Sequence, residues 1–170
     1  MTTARQKLSS YAITILTLNR HRHFQGTENA ELFIATLFRY RDAGKFLLHG
    51  FAVMPDHVHI LVTPAIDLST SRCIQLIKGG YSFAARDKSA GHIWHSGYHE
   101  HRIRDEEDFR AQLLYIANNP SRKHLLDYPH VHTAAPYIAR LDVGPKAIGS
   151  SCLTPGAKAP AFSPWREGQG

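Results

Sequence analysis

The stretch Met54-Pro55-Asp56-His57-Val58-His59-Ile60-Leu61-Val62 decides how the middle of the chain folds. Its second half is rich in β-branched residues and predicts a strand from His57 to Thr63. Because side chains alternate between faces along a strand, His57 and His59 point the same way while Val58 points into the core. Two imidazoles side by side on one strand face form half of a site for a divalent metal ion. Twelve histidines in 170 residues also produce chance pairs, so a purely structural role is the alternative.

A second motif, Tyr115-Ile116-Ala117-Asn118-Asn119-Pro120, follows about 55 residues later. On a helix Tyr115 and Asn119 are four residues apart and share a face, which places a phenol beside a neutral oxygen ligand. A tyrosine among the apolar residues of such a helix is most often part of the core, and this reading stays open. Together the two motifs suggest metal-assisted chemistry on a phosphodiester, with Tyr115 as the attacking group. No general base is evident from the sequence.

The hydrophobic periodicity predicts an alternation of strands and helices. The patterns place strands at 11–18, 46–54 and 57–63, helices at 29–43, 68–88 and 105–119, and a strand or short hairpin at 93–104. Pro120 is expected to limit the last helix, and 122–126 to form a further helical turn. The tight Pro55-Asp56 connection makes its two strands antiparallel. This order predicts an α+β, ferredoxin-like (split βαβ) antiparallel sheet with helices on one face and the other face open for a ligand, plus a C-terminal helix carrying the tyrosine.

The chain divides by composition into a domain at 1–140 and a flexible, weakly basic tail at 141–170 that is rich in glycine, proline and alanine. The two cysteines, Cys73 and Cys152, form no metal or redox pattern, which favours a reducing compartment. The first ten residues contain no apolar segment typical of a signal peptide, and no apolar run is long enough to span a membrane. We therefore expect a cytoplasmic protein with no membrane partner.

The formal net charge of +6 and the pI of about 9.5 favour an anionic partner, with nucleic acid as the leading candidate. A charge that serves only solubility is the alternative, and charge alone does not choose between the two. Cations for phosphates and flat rings for unstacked bases are what single-stranded or hairpin DNA requires. Residues of both kinds are interleaved around the two motifs. The candidate DNA-binding residues are Arg20, Arg22, Lys78, Arg86, Trp94, Arg102 and Arg104.

These two motifs, together with the run from Trp94 to Phe109, closely resemble the REP-associated tyrosine transposases, which are single-tyrosine HUH transposases. The resemblance runs in order from about Tyr11 to Tyr128. It implies a ferredoxin-like catalytic domain acting on single-stranded DNA that carries small hairpins. It also implies His57 and His59 as ligands of a divalent metal ion (Mg²⁺ or Mn²⁺), Tyr115 as the nucleophile and Asn119 as an amide ligand. Insertion-sequence relatives place glutamine, one methylene longer, at the position of Asn119.

Other classes with paired histidines fit less well. A histidine-triad enzyme requires a third alternating histidine where Leu61 stands, and a two-histidine phosphoesterase requires a second such motif. Relaxases place the tyrosine before the histidines, and replication initiators often have lysine where Asn119 stands. We therefore expect a metal-dependent transposase that cleaves and rejoins single-stranded DNA at hairpin-forming repeats through a phosphotyrosine, as a monomer or homodimer. The alternative is a DNA-binding protein, descended from a transposase, that holds a hairpin without cutting it.

Overall fold

The computed structural model describes residues 8–87, 91–122 and 130–133 of the chain. Within them the elements are β1 (Tyr11–Leu16), α1 (Thr27–Asp42), β2 (Phe46–Met54), β3 (His57–Pro64), α2 (Thr70–Ala84), β4 (His99–Arg102), α3 (Glu106–Arg122) and β5 (Val131–Thr133). Two short 3-10 turns, Leu18–Arg20 and His23–Gln25, lie between β1 and α1.

The strands form one five-stranded antiparallel sheet in the order β4-β1-β3-β2-β5. Its first four strands have the order of the ferredoxin-like fold, so the predicted fold class is confirmed. The short β5 pairs with β2 and was not predicted. The central strand β3 is buried along its whole length. This central position fixes the two histidines of β3 within the most enclosed part of the sheet.

Helices α1 and α2 cover one face of the sheet, as predicted. Val58, Ile60 and Val62 of β3 point into the core beneath them. The Gly79-Gly80 pair, which weakens α2 as an isolated helix, has a packing explanation at Gly80. A Cβ atom there would lie 2.6 Å from Cε2 of Tyr40 on α1, so glycine allows the two helices to approach closely. Gly79 faces open space.

Helix α3 lies on the opposite face of the sheet, which is therefore not open along its length. Leu113 and Ile116 of α3 pack with Ala52, Met54 and Leu61 in a second, smaller core. These sheet residues alternate with those that face α1 and α2, as the pleat requires. The face that carries His57 and His59 is thus the face on which the tyrosine helix rests.

Several predicted boundaries differ from the structure, by one or two residues for β1, α1 and β3 and by more elsewhere. The last helix continues through Pro120 to Arg122, because a proline near a helix end removes only one backbone hydrogen bond. Helix α2 ends at Ala84, earlier than predicted. The segment 93–104 contains one short strand, β4, and a separate bridge from Trp94 to Thr17. Of the turn predicted at 122–126, Arg122 is the last residue of α3 and the rest lies outside the described residues, as does the tail at 141–170.

Within the described part of the chain, no helix combines the length and the apolar character needed to cross a membrane.

Candidate metal and nucleophile site

His57 stands at the start of β3 and is held by its neighbour in the sequence. Its Nδ1 lies 2.6 Å from Oδ1 of Asp56, and its side chain is largely buried. Burial alone would raise the pKa of Asp56, but the hydrogen bond and charge of His57, followed by those of Arg20, outweigh burial and hold that pKa below its ordinary value. When Nδ1 of His57 carries the proton, Nε2 has a free lone pair suited to a metal ion.

His59, two residues on, is held through both ring nitrogens. Its Nδ1 lies 2.8 Å from Oγ1 of Thr14 on β1, and its Nε2 lies 3.0 Å from Nδ2 of Asn119 on α3. The hydroxyl of Thr14 can accept a hydrogen bond from Nδ1–H of His59. The lone pair of His59 Nε2 is then directed at the amide of Asn119. Thr14 was missed by the sequence reasoning. The feature of the sequence that could have pointed to Thr14 is its position as a polar residue between Ile13 and Ile15, which are core residues.

Asn119 is buried beneath α3, with 3 % of its surface exposed. Its amide nitrogen faces His59, whereas its Oδ1 is buried and has no hydrogen-bond partner among the described residues. A buried carbonyl oxygen without a partner is costly, and a cation is one group that would satisfy it. Two imidazoles and one amide oxygen fit a divalent ion, and Asn119 reaches His59 despite being shorter than glutamine.

The described residues contain no cluster of three His, Cys, Asp or Glu side chains that could hold a metal ion. This result is expected for the present site, since its third candidate ligand is an asparagine. The fit therefore rests on the unpartnered oxygen of Asn119 and on the two histidines, whose rings lie 4.8 Å apart.

Tyr115 is exposed at the surface of α3, not packed in the core. Its side chain is 42 % accessible, whereas Leu113 and Ile116 on the same helix are buried. Its ring packs edge-on against His59, with ring centroids 5.3 Å apart. Helical spacing thus presents Tyr115 and, one turn later, Asn119 to the same histidine.

A cleft of about 140 Å³ opens beside the tyrosine, between β1, β4 and α3. The residues that line it are Ala12, Ile13, Thr14, His59, Ile60, His99, Glu100, His101, Gln112, Tyr115 and Ile116. An exposed phenol and three histidines therefore line one concave space.

The first turn of α3 is tied to the edge strand β4. His101 Nε2 lies 2.8 Å from both carboxylate oxygens of Asp108, which also accepts the backbone N–H of Arg104. These contacts, the His101 hydrogen bond first, lower the pKa of Asp108. Because Asp108 and Tyr115 lie on one rigid helix, this pairing helps to set where the phenol stands over the sheet.

The loop after β1 contacts the turn that precedes His57. Thr17 donates to the backbone carbonyl of Asp56, and Arg20 lies 3.3 Å from the Asp56 carboxylate. Asn19 and Arg20 both adopt left-handed backbone conformations, with φ of 52° and 56°. Such conformations are strained for residues with a side chain and persist where surrounding contacts hold them. Arg20 is thereby placed beside Asp56, the partner of His57, and Arg22 is exposed two residues further along the same loop.

The other candidate DNA-binding residues are more scattered. Lys78 donates to the carbonyl of His95 at 2.7 Å, and Trp94 packs with the core and donates to the carbonyl of Lys78. Arg86 stacks on Phe83 at the end of α2. These three belong to the layer of α1 and α2, across the sheet from Tyr115. The exposed Arg102 and Arg104 flank the end of β4, where Arg102 donates to Ser9.

Comparison with known proteins agrees with this fold. The family model for IS200-like transposases matches residues 5–119, which is more than half of the chain. The chain therefore belongs to the family of IS200-like transposases.

Within that class the resemblance to REP-associated tyrosine transposases is confirmed. The chain is 29% identical over 128 residues to the REP-associated tyrosine transposase of Escherichia coli (strain K12), a match that covers 72% of this chain and 75% of that protein. A REP-associated tyrosine transposase solved bound to a REP hairpin superposes with a TM-score of 0.62 at 26% identity, covering 82% of this chain and 87% of that one. A proposed transposase from Deinococcus radiodurans R1 shares the fold, with a TM-score of 0.51 at 19% identity over 79% of this chain and 100% of that one.

Proposed function

We propose that this chain is a metal-dependent, single-tyrosine transposase that cleaves and rejoins single-stranded DNA at hairpin-forming, REP-like repeats. One observation carries the proposal. The exposed phenol of Tyr115 packs on His59, and His59 is bonded to a buried asparagine whose carbonyl oxygen has no partner among the described residues. Membership of the transposase family and the hairpin-bound relative support the choice of DNA substrate.

In this proposal Tyr115 Oη attacks the scissile phosphorus in line. The Oη–P bond forms, the bond from phosphorus to the leaving oxygen breaks, and the phenol proton passes to a base. One DNA end is then joined to Tyr115, and the other ends in a hydroxyl group. Since the phosphodiester energy is retained, the hydroxyl of a second strand can reverse the step and rejoin the DNA.

The proposed metal ligands are His57, His59 and Asn119. A divalent ion bound there, Mg²⁺ or Mn²⁺, would neutralise charge on the phosphate and so favour attack by a phenol, which is a weak nucleophile while it keeps its proton. The chain's own contribution is orientation. Asp56 and Thr14 fix the tautomers of the two histidines, and α3 holds the phenol above them.

The basic residues near the site complete the proposal. Arg20, which contacts Asp56, and the exposed Arg22 on the same loop are suited to bind phosphates of the DNA strand. Arg102 and Arg104 lie at and just beyond the end of β4, outside the residues that line the cleft, and stay predictions. Lys78, Arg86 and Trp94 stay predictions, and their place across the sheet would suit a hairpin only if it wraps around the edge.

To test this proposal, the protein is incubated with a labelled single-stranded hairpin from DNA flanking its own gene, in the presence of Mg²⁺, Mn²⁺ or EDTA. A denaturing gel then resolves covalent protein–DNA adducts. We expect a metal-dependent adduct that Tyr115→Phe abolishes while hairpin binding in a native gel is retained. Tyr40→Phe on α1, across the sheet, is the matched control and should form adduct as wild type does. A native-gel shift without adduct under any metal, for hairpins from several flanking repeats, would favour the DNA-binding alternative.

A further inference from the structure

No general base for Tyr115 is evident from the sequence, but the structure places a histidine in the same cleft. His99 on β4 lines the same cleft as Tyr115. In the antiparallel register Thr14 of β1 stands opposite both His59 and His99. Residues directly opposite one another in a sheet share a face, so the three form one row across β3, β1 and β4.

The spacing of this row suits a phosphate bound between its ends. Two strand separations place the backbones of His59 and His99 about 10 Å apart. The ring of Tyr115 already rests on His59, at one end of the row. A phosphate seated in the cleft would therefore have the candidate metal ligand on one side, the imidazole of His99 on the other and the phenol above.

The other titratable groups of β4 are less suited to this role. Glu100 stands opposite Ile13, whose side chain is buried in the core beneath α1 and α2, so its carboxylate points to the other face. The ring of His101 is already hydrogen-bonded to the carboxylate of Asp108. His99, by contrast, is exposed and makes no side-chain hydrogen bond, ion pair or ring contact within the described residues.

We propose that His99 is the general base that accepts the phenol proton of Tyr115 during strand cleavage. This inference rests on the proposed function. As Oη bonds to phosphorus, the Oη–H bond breaks and its proton moves to a ring nitrogen of His99, while the leaving oxygen departs from phosphorus and takes a proton from water. In the rejoining step the protonated His99 returns a proton to Oη as the phenol departs. Histidine is the side chain whose ordinary pKa allows both forms near neutral pH.

The pH dependence of cleavage carries contributions from every titratable group that faces the cleft. These groups are His59 from β3, Tyr115 from α3 and His101 on β4, which is paired with Asp108 of α3, while β1 contributes the uncharged Thr14. Glu100 also lines the cleft, but its carboxylate points to the other face of the sheet. A role for His99 must therefore be read from the difference between a His99 variant and the wild type across pH, not from the wild-type profile alone.

The experiment measures the single-turnover rate of adduct formation on the labelled hairpin across neutral pH, at saturating Mn²⁺, for wild type, His99→Gln and His92→Gln. His92 is an exposed histidine outside the cleft and serves as the matched control. We expect His99→Gln to lower the rate about 10²–10⁴-fold and to flatten the acidic limb of the profile, with hairpin affinity unchanged. Added imidazole should restore part of the rate to His99→Ala.

A substrate with sulfur in place of the leaving oxygen identifies the proton that His99 handles. If His99 acts on the phenol, His99→Gln stays slow with this better leaving group; recovery of the wild-type rate would overturn the assignment. A His99→Gln rate and profile equal to wild type, or a rate loss matched by an equal loss of hairpin affinity, would also overturn it. No adduct from wild type would overturn the proposed function itself, and with it this role.

Discussion

His49 provides a quantitative test of how this fold responds to acid. It lies on β2 at a shift in the register with β3, on the face covered by α3. Its Nε2 is 2.7 Å from Oγ1 of Thr63, and its ring packs edge-on against Phe109 of α3. Burial lowers the pKa of His49 to about 4 from the ordinary 6.5.

The sign and size of the effect follow from proton linkage. Between pH 6.5 and about 4 the unfolded chain protonates this histidine and the folded chain does not. The unfolded state therefore binds more protons, and stability falls as the pH is lowered through that window. The difference between the two pKa values corresponds to ~3 kcal/mol, fully present above pH 6.5 and lost as the pH falls toward 4.

The assay is urea unfolding of wild type, His49→Gln and the exposed control His92→Gln at a series of pH values. We expect the free energy of unfolding of wild type and of His92→Gln to fall by ~3 kcal/mol more than that of His49→Gln between neutral pH and pH 4. This difference does not depend on how stable His49→Gln is at neutral pH. Other groups with lowered pKa values, such as Asp56, contribute equally to all three proteins and cancel. Parallel curves for His49→Gln and wild type would refute the reasoning.

Two further predictions concern packing and the histidine tautomers. Gly79→Ala should stabilise the protein by about 1 kcal/mol, because alanine favours the helix and the space at this position is open. Gly80→Ala should be less stable than Gly79→Ala by about 1–3 kcal/mol, because the added methyl group overlaps the ring of Tyr40. In a Tyr40→Ala background the two substitutions should have equal effects on urea unfolding, and unequal effects there would count against the overlap. Thr14→Val should weaken Mn²⁺ binding about 10–100-fold in a calorimetric titration, because His59 loses the partner that orients it; unchanged affinity would contradict that role.

The strand that carries the histidines could be read from the sequence almost residue by residue. Alternation fixed the faces of His57, Val58 and His59, and the two-residue connection at Pro55 forced an antiparallel pair. Both rules depend only on residues that are close together in the sequence. For that reason the observed strand faces and the observed antiparallel pairing agree with the prediction.

The position of α3 could not be read in the same way. The apolar stripe through Leu113 and Ile116 says that the helix buries one side, but not against which face of the sheet. That choice depends on contacts distant in sequence, with Ala52, Met54 and Leu61.

The polar supports of the site were hidden for a similar reason. Thr14 supports His59, and Asp108 holds His101, only through strand register and helix docking, neither of which leaves a periodic signal. The exposure of Tyr115 likewise became visible only once α3 was docked on the sheet.

The complete burial of β3 determines how substitutions elsewhere in the chain affect the site. Amide protons of a central strand that is covered on both faces exchange with solvent only when the whole domain opens, whereas helix ends and edge strands open locally. His57 and His59 should therefore keep their geometry until global unfolding. A destabilising change far from them would lower the amount of folded protein in the cell while each folded molecule works at its normal rate.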